Sequence, residues 1–407
     1  MFVYVAWLVI GVSLFGALFW LNVMYKEADD IDAYPEPSRF PSLSVLLPAY
    51  NEEDTIREAI ESILDQNYPD DKIQIVVIND GSTDATEEIA SEYEDEITLL
   101  SQKNQGKGAA LNTGLETAEG EIVVVQDADS VIQPDAYRMM VGHFDEEEVG
   151  GVIAGIKPLK TNTMVKKLQK MEYLLGILYR KLMSVIDTLY VTPGALSMYR
   201  RDLIEDLGQF DEDNLTEDLE IALRVRKHNY TVRMSAPAIT RTEFPATLKE
   251  LMHQRIRWYR GLFNNTMKYR EMMFDRSYGL LGMFQMPVNI LFPVVAMIGA
   301  LLVMYGIGKS VFDFGVWLSA VGTNIYNPFG NFELYRAFMG LQVQIYFPLI
   351  VGILLVGLLL YMAHWYNDES FDNPLSLALF FIAYYTVIGV FWIMALIKEL
   401  TGREHRW

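Results

Sequence analysis

Cysteine is absent from the 407 residues, so disulfides and thiolate metal sites are excluded. Positive charge is scarce: 33 Lys and Arg stand against 53 Asp and Glu, a formal net charge of −20. That balance argues against a nucleic-acid partner, because phosphates need Lys and Arg to neutralise them. No basic stretch precedes the first apolar run, 2–24, and no charge follows it until Lys26. A cleaved signal peptide would carry such a stretch. The run therefore reads as an uncleaved membrane helix over 1–25, with its start outside and the following domain cytoplasmic.

What the chain does have is apolar residues, 51% of the total, gathered at its two ends. A membrane helix needs about 20 mostly apolar residues. Three stretches near the C-terminus qualify, 280–305, 343–363 and 375–397, within a membrane region spanning 280–397. The first contains Pro287 and Pro293, tolerated when neighbouring groups re-satisfy the backbone. A shorter run, 311–326, carries Asp313 and reads as re-entrant or as a further span. Four spans from an outside start leave the end outside, whereas the basic tail 398–407, "KELTGREHRW", favours inside. Counting 311–326 as a span removes the conflict.

Between the ends lies one acidic region, 40–260, in which short β-branched runs alternate with helical stretches. "LSVLLPAY", "IQIVVIND", "ITLLSQ" and "GEIVVVQDAD" read as strands. "EEDTIREAIESILDQ" has helical spacing at Ile56, Ile60 and Ile63/Leu64. The pattern predicts an α/β fold with a mainly parallel sheet covered on both faces. Ligands bind such sheets at the carboxyl ends of the strands. "PAYNE", "NDGSTD" and "DADS" each follow a strand directly.

Each polar motif admits two readings. Asp127 and Asp129 lie two apart, and on extended backbone both point the same way. Such a pair attracts a hard divalent cation; equally, Asp ends strands and makes turns, which also covers Asp80. Lys107 precedes a helical run and meets a phosphate at the helix N-terminus, or it is a surface lysine after a glycine turn. Glu217 and Asp218 open the helix "LTEDLEIALRVRK", where acidic residues complement the helix dipole. Alternatively, Asp218 is a general base within reach of a hydroxyl. In "LKELMHQRIRWYRG", Gln254, Arg257 and Trp258 share one helical face. Arg offers a planar fork for a diphosphate and Trp a flat surface for a sugar ring. A lipid-interface helix favours the same residue types.

Together these motifs resemble the membrane-embedded processive family 2 glycosyltransferases, the synthases of poly-N-acetylglucosamine, hyaluronan, chitin and cellulose. The motifs in order are "PAYNE", "INDGSTD", "NQGKGAALNTGL", "DADS", "TPGALSMYRR", "TEDLEIALRV" and "QRIRW". The resemblance covers about 350 residues, from "PSLSVLLPAYNEEDTI" to the C-terminal helices. "MMFDRSYGLLGMFQMPVN" looks closest to the poly-N-acetylglucosamine branch. It implies a GT-A type nucleotide-sugar-binding domain with Mg2+ or Mn2+ at Asp127 and Asp129. Pro48, Tyr50, Glu52, Asp80, Lys107, Asp127 and Arg257 would bind the nucleotide sugar. Asp218 would deprotonate the acceptor hydroxyl, with Glu217 beside it. Gln254 and Trp258 would hold the acceptor, and Gly194 and Ala195 would line its entrance. The implied partners are a nucleotide-sugar donor, a polysaccharide or lipid-linked glycan acceptor, and membrane lipids. The Phe-x-Val-Thr-x-Lys loop of cellulose synthases has no match here. Of the Trp-Gly-Thr-Arg motif of hyaluronan synthases only "GREHRW" stands in its place, with Arg403 and Arg406.

The stretch 164–190 has apolar residues at helical spacing and carries Lys166, Lys167, Lys170, Arg180 and Lys181 against Glu172 and Asp187. It reads as an amphipathic interfacial helix facing anionic headgroups, with 261–279 as a second one. Three functions remain open: a processive synthase that passes its product through the membrane, a transferase adding one sugar to a lipid, and an inactive scaffold. Retention of Asp80, Asp127, Asp129 and Asp218 disfavours the scaffold.

Overall fold

The computed structural model describes residues 2–27, 34–321 and 343–402. Arg403, Arg406 and the part of 311–326 beyond residue 321 lie outside the described residues.

Strand residues alternate between two sheet faces, and here both faces are covered. The strands are β1 (Leu43–Ala49), β2 (Ile73–Asn79), β3 (Thr98–Ser101), β4 (Ile122–Val125), β5 (Ser130–Ile132), β6 (Val149–Pro158), β7 (Ser197–Arg200) and β8 (Thr231–Thr242). Leu46, Val76, Ile78, Val123 and Val125 pack with Leu111 and Leu115 of the helix Lys107–Thr117. Val45, Leu47, Val77 and Val124 pack with Ile56, Ile60 and Ile63 of the helix Ile56–Leu64. Leu64 is exposed, so Ile63 is the inward residue of that pair.

The strand order is β3-β2-β1-β4-β7-β6-β8-β5. β1, β2, β3 and β4 pair in parallel, as does β6 with β8, but β4–β7, β6–β7 and β5–β8 are antiparallel. The sheet is therefore mixed, and the parallel expectation describes its first half. β5 and β7 are too short to show a hydrophobic period. β7 runs against β4 and so carries the 192–195 segment back over the β4 end.

The helix Met164–Val185 lies between the sheet and the apolar helices, packing on β8 and on the helix Val343–Tyr366. Three of its cations, Lys166, Lys170 and Lys181, turn inward rather than toward headgroups. Lys166 pairs with Glu243 at 2.5 Å, Lys170 with Glu369 at 3.0 Å, and Lys181 is buried. The 261–279 stretch is not a separate helix. The helix Leu248–Lys268, closed by a Thr247–Glu250 capping box, runs through its first part. Short turns follow at Arg270–Met272 and Arg276–Tyr278. Tyr269 and Met272 are buried against Leu219 and Leu223, so this stretch packs on protein.

Three helices among the described residues are long and apolar enough to cross a membrane: Tyr4–Lys26, Leu281–Val316 and Pro374–Leu400. The helix Met286–Val321 is continuous through the gap that hydropathy leaves between 280–305 and 311–326. Lys309 and Asp313, which lower the hydropathy there, pair with each other one turn apart.

His143 is buried in the turn Gly142–Asp145, and its Nε2 has no partner among the described residues. Burial, with Lys181 and Arg233 nearby, pushes its pKa down to about 3. The unfolded chain takes up a proton near the usual value of 6.5, which the folded chain refuses until about pH 3. Stability is thus full above pH 6.5 and is lost as pH falls below it. Lowering the pH from 7.5 to about 5 is expected to remove about 2 kcal/mol. His143→Leu should flatten that loss, measured as the thermal midpoint of the detergent-solubilised protein.

Candidate active site

The site forms where β1, β2 and β4 end. Asn51, at positive φ (57°), turns the chain after β1. Its Oδ1 accepts from the Thr83 N–H at 2.8 Å, and its N–H donates to Ser82 Oγ at 3.0 Å. Glu52 N–H donates to Thr86 Oγ1 at 2.7 Å. The "PAYNE" and "NDGSTD" loops are thus one clipped unit. Pro48 lies opposite Ile78 in β1, and Tyr50 is half-exposed at the rim.

Asp80 is buried and binds the loop after β3. Its Oδ1 accepts from Gln102 Nε2 at 2.8 Å and from the Gln105 N–H at 3.0 Å, and its Oδ2 from the Gly106 N–H at 2.9 Å. Gly106 has φ 94°, a left-handed conformation that suits glycine. This turn delivers Lys107, the first residue of its helix, into the centre of the site.

Lys107 Nζ pairs with Asp127 Oδ1 and lies 3.6 Å from Glu217 Oε1. Burial would lower the lysine pKa, but Asp127, Glu217 and Asp218 together raise it. Asp127 and Asp129 lie in a turn rather than on extended strand, with the Ser130 N–H donating to the Asp127 carbonyl at 3.1 Å. The two still face one space. Burial and then the charge of Asp127 lift the Asp129 carboxyl to about 6. Asp129 Oδ1 accepts from Thr242 Oγ1 at 2.9 Å and Ser130 Oγ at 3.1 Å. Burial, with Asp129 and Asp127 adding to it, brings the Glu52 carboxyl to about 7.

Glu217 is 5% exposed, and Asp218 is partly buried. Burial raises both carboxyl pKa values, opposed by the charges of Lys107 and Arg257. Arg257 is therefore near enough to act on both. Asp218 Oδ1 accepts from the Leu219 N–H at 2.8 Å, and Thr192 Oγ1 donates to the Asp218 carbonyl at 2.6 Å. Asp218 Oδ2 takes no hydrogen bond among the described residues, so one basic oxygen is available.

Gly194 lies close to Lys107 and Asp127. A Cβ there would collide with Lys107 Nζ and stand 3.1 and 3.3 Å from the Asp127 oxygens. Ala195 packs with Ile156, Tyr173 and Phe244, against which Trp258 also rests. Gln254 Oε1 is buried with no partner among the described residues. The fold thus brings Lys107, Asp127, Glu217 and Gly194 together, and places Ala195 in the cluster on which Trp258 packs. Sequence reasoning missed Thr242, which reaches Asp129 across the β5–β8 pairing. Arg255, Glu172 and Tyr384 were missed as well. Arg255 lies three residues before Trp258, but Glu172 and Tyr384, with which it forms a network, are remote in sequence.

Residues 44–208 match the family model described as Glycosyl transferase family 2. Among curated proteins, the probable glycosyltransferase YdaM of Bacillus subtilis is 32% identical over 234 residues, covering 54% of this chain and 55% of that protein. A poly-beta-1,6-N-acetyl-D-glucosamine synthase of Staphylococcus epidermidis is 30% identical over 232 residues, covering 56% of each. The chain thus spans about half the length of the curated relatives it matches. Among solved structures, the mannosyltransferase PcManGT of Pyrobaculum calidifontis, in complex with GDP-Man and Mn2+, superposes with a TM-score of 0.66. The identity is 21%, over 99% of this chain and 100% of that one. At that identity the likeness concerns the fold.

Proposed function

We propose that the chain, whose residues 44–208 match the Glycosyl transferase family 2 model, is an inverting hexosyltransferase with a GT-A-type domain that extends a β-linked polysaccharide. The donor is a nucleotide-activated sugar, with UDP as the expected nucleotide. The product would cross the membrane through the apolar helices, with the catalytic domain on the cytoplasmic side. The convergence of Lys107, Asp127, Glu217 and Asp218 carries this reading. The Staphylococcus epidermidis relative, a named polysaccharide synthase, supports the polymer.

A divalent metal fits the residues present. Asp127 and Asp129 crowd two carboxylates beside one lysine, so a further positive charge is favourable there. No group of three His, Asp or Glu able to hold a metal occurs among the described residues. Two protein oxygens plus diphosphate and water suit a hard ion such as Mg2+ or Mn2+. Asp127 and Asp129 would hold such an ion, which when bound would supply charge neutralisation for the diphosphate. Arg257 adds a bidentate donor toward the same charge. Asp218 takes the proton of the acceptor hydroxyl as that oxygen attacks opposite the leaving group. One displacement inverts the anomeric centre and requires no covalent intermediate. Trp258 supplies a flat face for the acceptor sugar, and Gln254 a hydrogen-bonding edge.

A second reading, transfer of one sugar to a lipid, is favoured by one feature. An apolar cavity of about 150 Å³ lies beside the helix Leu248–Lys268, lined by Tyr259, Leu262, Phe263, Ile290, Pro293 and Trp392. The test offers the purified protein a panel of UDP-sugars with Mn2+ or Mg2+ and measures released UDP and product size. Long products support the synthase, and a single-sugar glycolipid supports the second reading. No turnover and no sugar-nucleotide binding overturns both. Chelation with EDTA is expected to stop turnover, and added Mn2+ or Mg2+ to restore it. Thr242→Val should raise the metal concentration for half-maximal rate about 10-fold, because Thr242 orients Asp129.

A further inference from the structure

Trp258 is held by more than its own helix. Arg255, one turn before it, places its guanidinium carbon 4.5 Å from the Trp258 ring centroid. Arg255 is 5% exposed, and a buried guanidinium requires a compensating charge. Glu172, on the helix Met164–Val185, supplies it: Arg255 Nη2 donates to Glu172 Oε2 at 2.9 Å. The same oxygen accepts from Tyr384 Oη at 2.5 Å. Tyr384 closes a π-helical turn, Phe380–Tyr384, inside the last apolar helix. A π-turn shifts the register of the residues around it and often marks a functional position.

We propose that Glu172 and Tyr384 are positioning residues for the acceptor platform. Tyr384 orients Glu172, Glu172 holds Arg255, and Arg255 fixes the Trp258 ring. The proposal rests on the reading of Trp258 as the surface that meets the acceptor sugar. Its consequence is that a displacement of the last apolar helix moves the platform. Ala195, next in sequence to Gly194, forms with Ile156, Tyr173 and Phe244 the cluster against which Trp258 packs. Two adjacent residues, Gly194 and Ala195, thus lie against the catalytic centre and in the cluster that carries Trp258.

The test uses the full chain in detergent, UDP-N-acetylglucosamine as donor and a soluble N-acetylglucosamine oligosaccharide as acceptor. Tyr384→Phe is expected to raise the KM for the acceptor about ten-fold, the lower end of the cost of one lost hydrogen bond to a charged group. Both kcat and the KM for the donor stay unchanged. Glu172→Gln raises the acceptor KM further. The double variant does no more than Glu172→Gln alone, because both residues act through Arg255. A readout independent of activity is the near-UV circular dichroism lost on Trp258→Phe. That difference spectrum should change when Tyr384 is Phe. An unchanged difference spectrum, or equal rises in acceptor and donor KM, overturns the proposal. If the spectrum responds but the wild type uses no glycan acceptor, the positioning of Trp258 stands and the acceptor reading falls.

Discussion

Asp218→Asn is expected to lower turnover about 10²–10⁴-fold, the usual contribution of a general base, while sugar-nucleotide binding survives. Asn is nearly isosteric with Asp, and its amide oxygen keeps the hydrogen bond from the Leu219 N–H. What it loses is the second carboxylate oxygen, the one without a hydrogen bond among the described residues. Glu217 is poorly placed to take over. It is 5% exposed and its Oε1 lies 3.6 Å from Lys107 Nζ. Proton uptake there would remove a charge that stabilises the lysine. Turnover and nucleotide binding should be measured separately, by product release and by isothermal titration with UDP. Full activity in the variant would remove Asp218 as the base.

Gly194→Ala is expected to lower kcat/KM about 10²-fold, the cost of displacing a reacting group by about 1 Å, with little change in thermal midpoint. A methyl group at residue 194 would collide with Lys107 Nζ. That atom is the tip of a flexible side chain, so the fold yields cheaply by moving the ammonium. The same movement takes Lys107 away from Asp127 and Glu217 and leaves their charges less compensated. Structure and activity are therefore affected differently at one position. Lys107→Met should resemble Gly194→Ala in activity, because both remove the ammonium from the carboxylates. A large fall in thermal midpoint with normal activity in the surviving folded fraction would contradict this account.

Much of the fold was legible because its signals are local. Val45, Val77 and Val124 alternate with residues facing the other side of the sheet, and both sets are apolar because both faces are covered. "PAYNE", "NDGSTD" and "DADS" could be assigned to the carboxyl ends of strands because each directly follows its strand. The antiparallel half was not legible. β5 and β7 span three and four residues, too few to display a period.

The fate of charge was the least legible property. The basic residues of 164–190 suggested contact with headgroups. Lys166 and Lys170 instead meet Glu243 and Glu369, acids supplied by segments distant in sequence. Hydropathy alone likewise divided the helix Met286–Val321, because an average cannot see that Lys309 and Asp313 satisfy each other one turn apart.

By itself, then, the amino-acid sequence determined the first four strands and the helices between them, the apolar stretches suited to a membrane, and which residue types gather at those strand ends. These follow from backbone periodicity and solvent transfer, which act over a few residues. Only the tertiary structure decided which side chains share a space: Lys107 with Asp127 and Glu217, Gly194 against that pair, and Tyr384 with Glu172 and Arg255. Such meetings depend on how helices dock on the sheet and on one another, and close packing over the whole chain sets that docking.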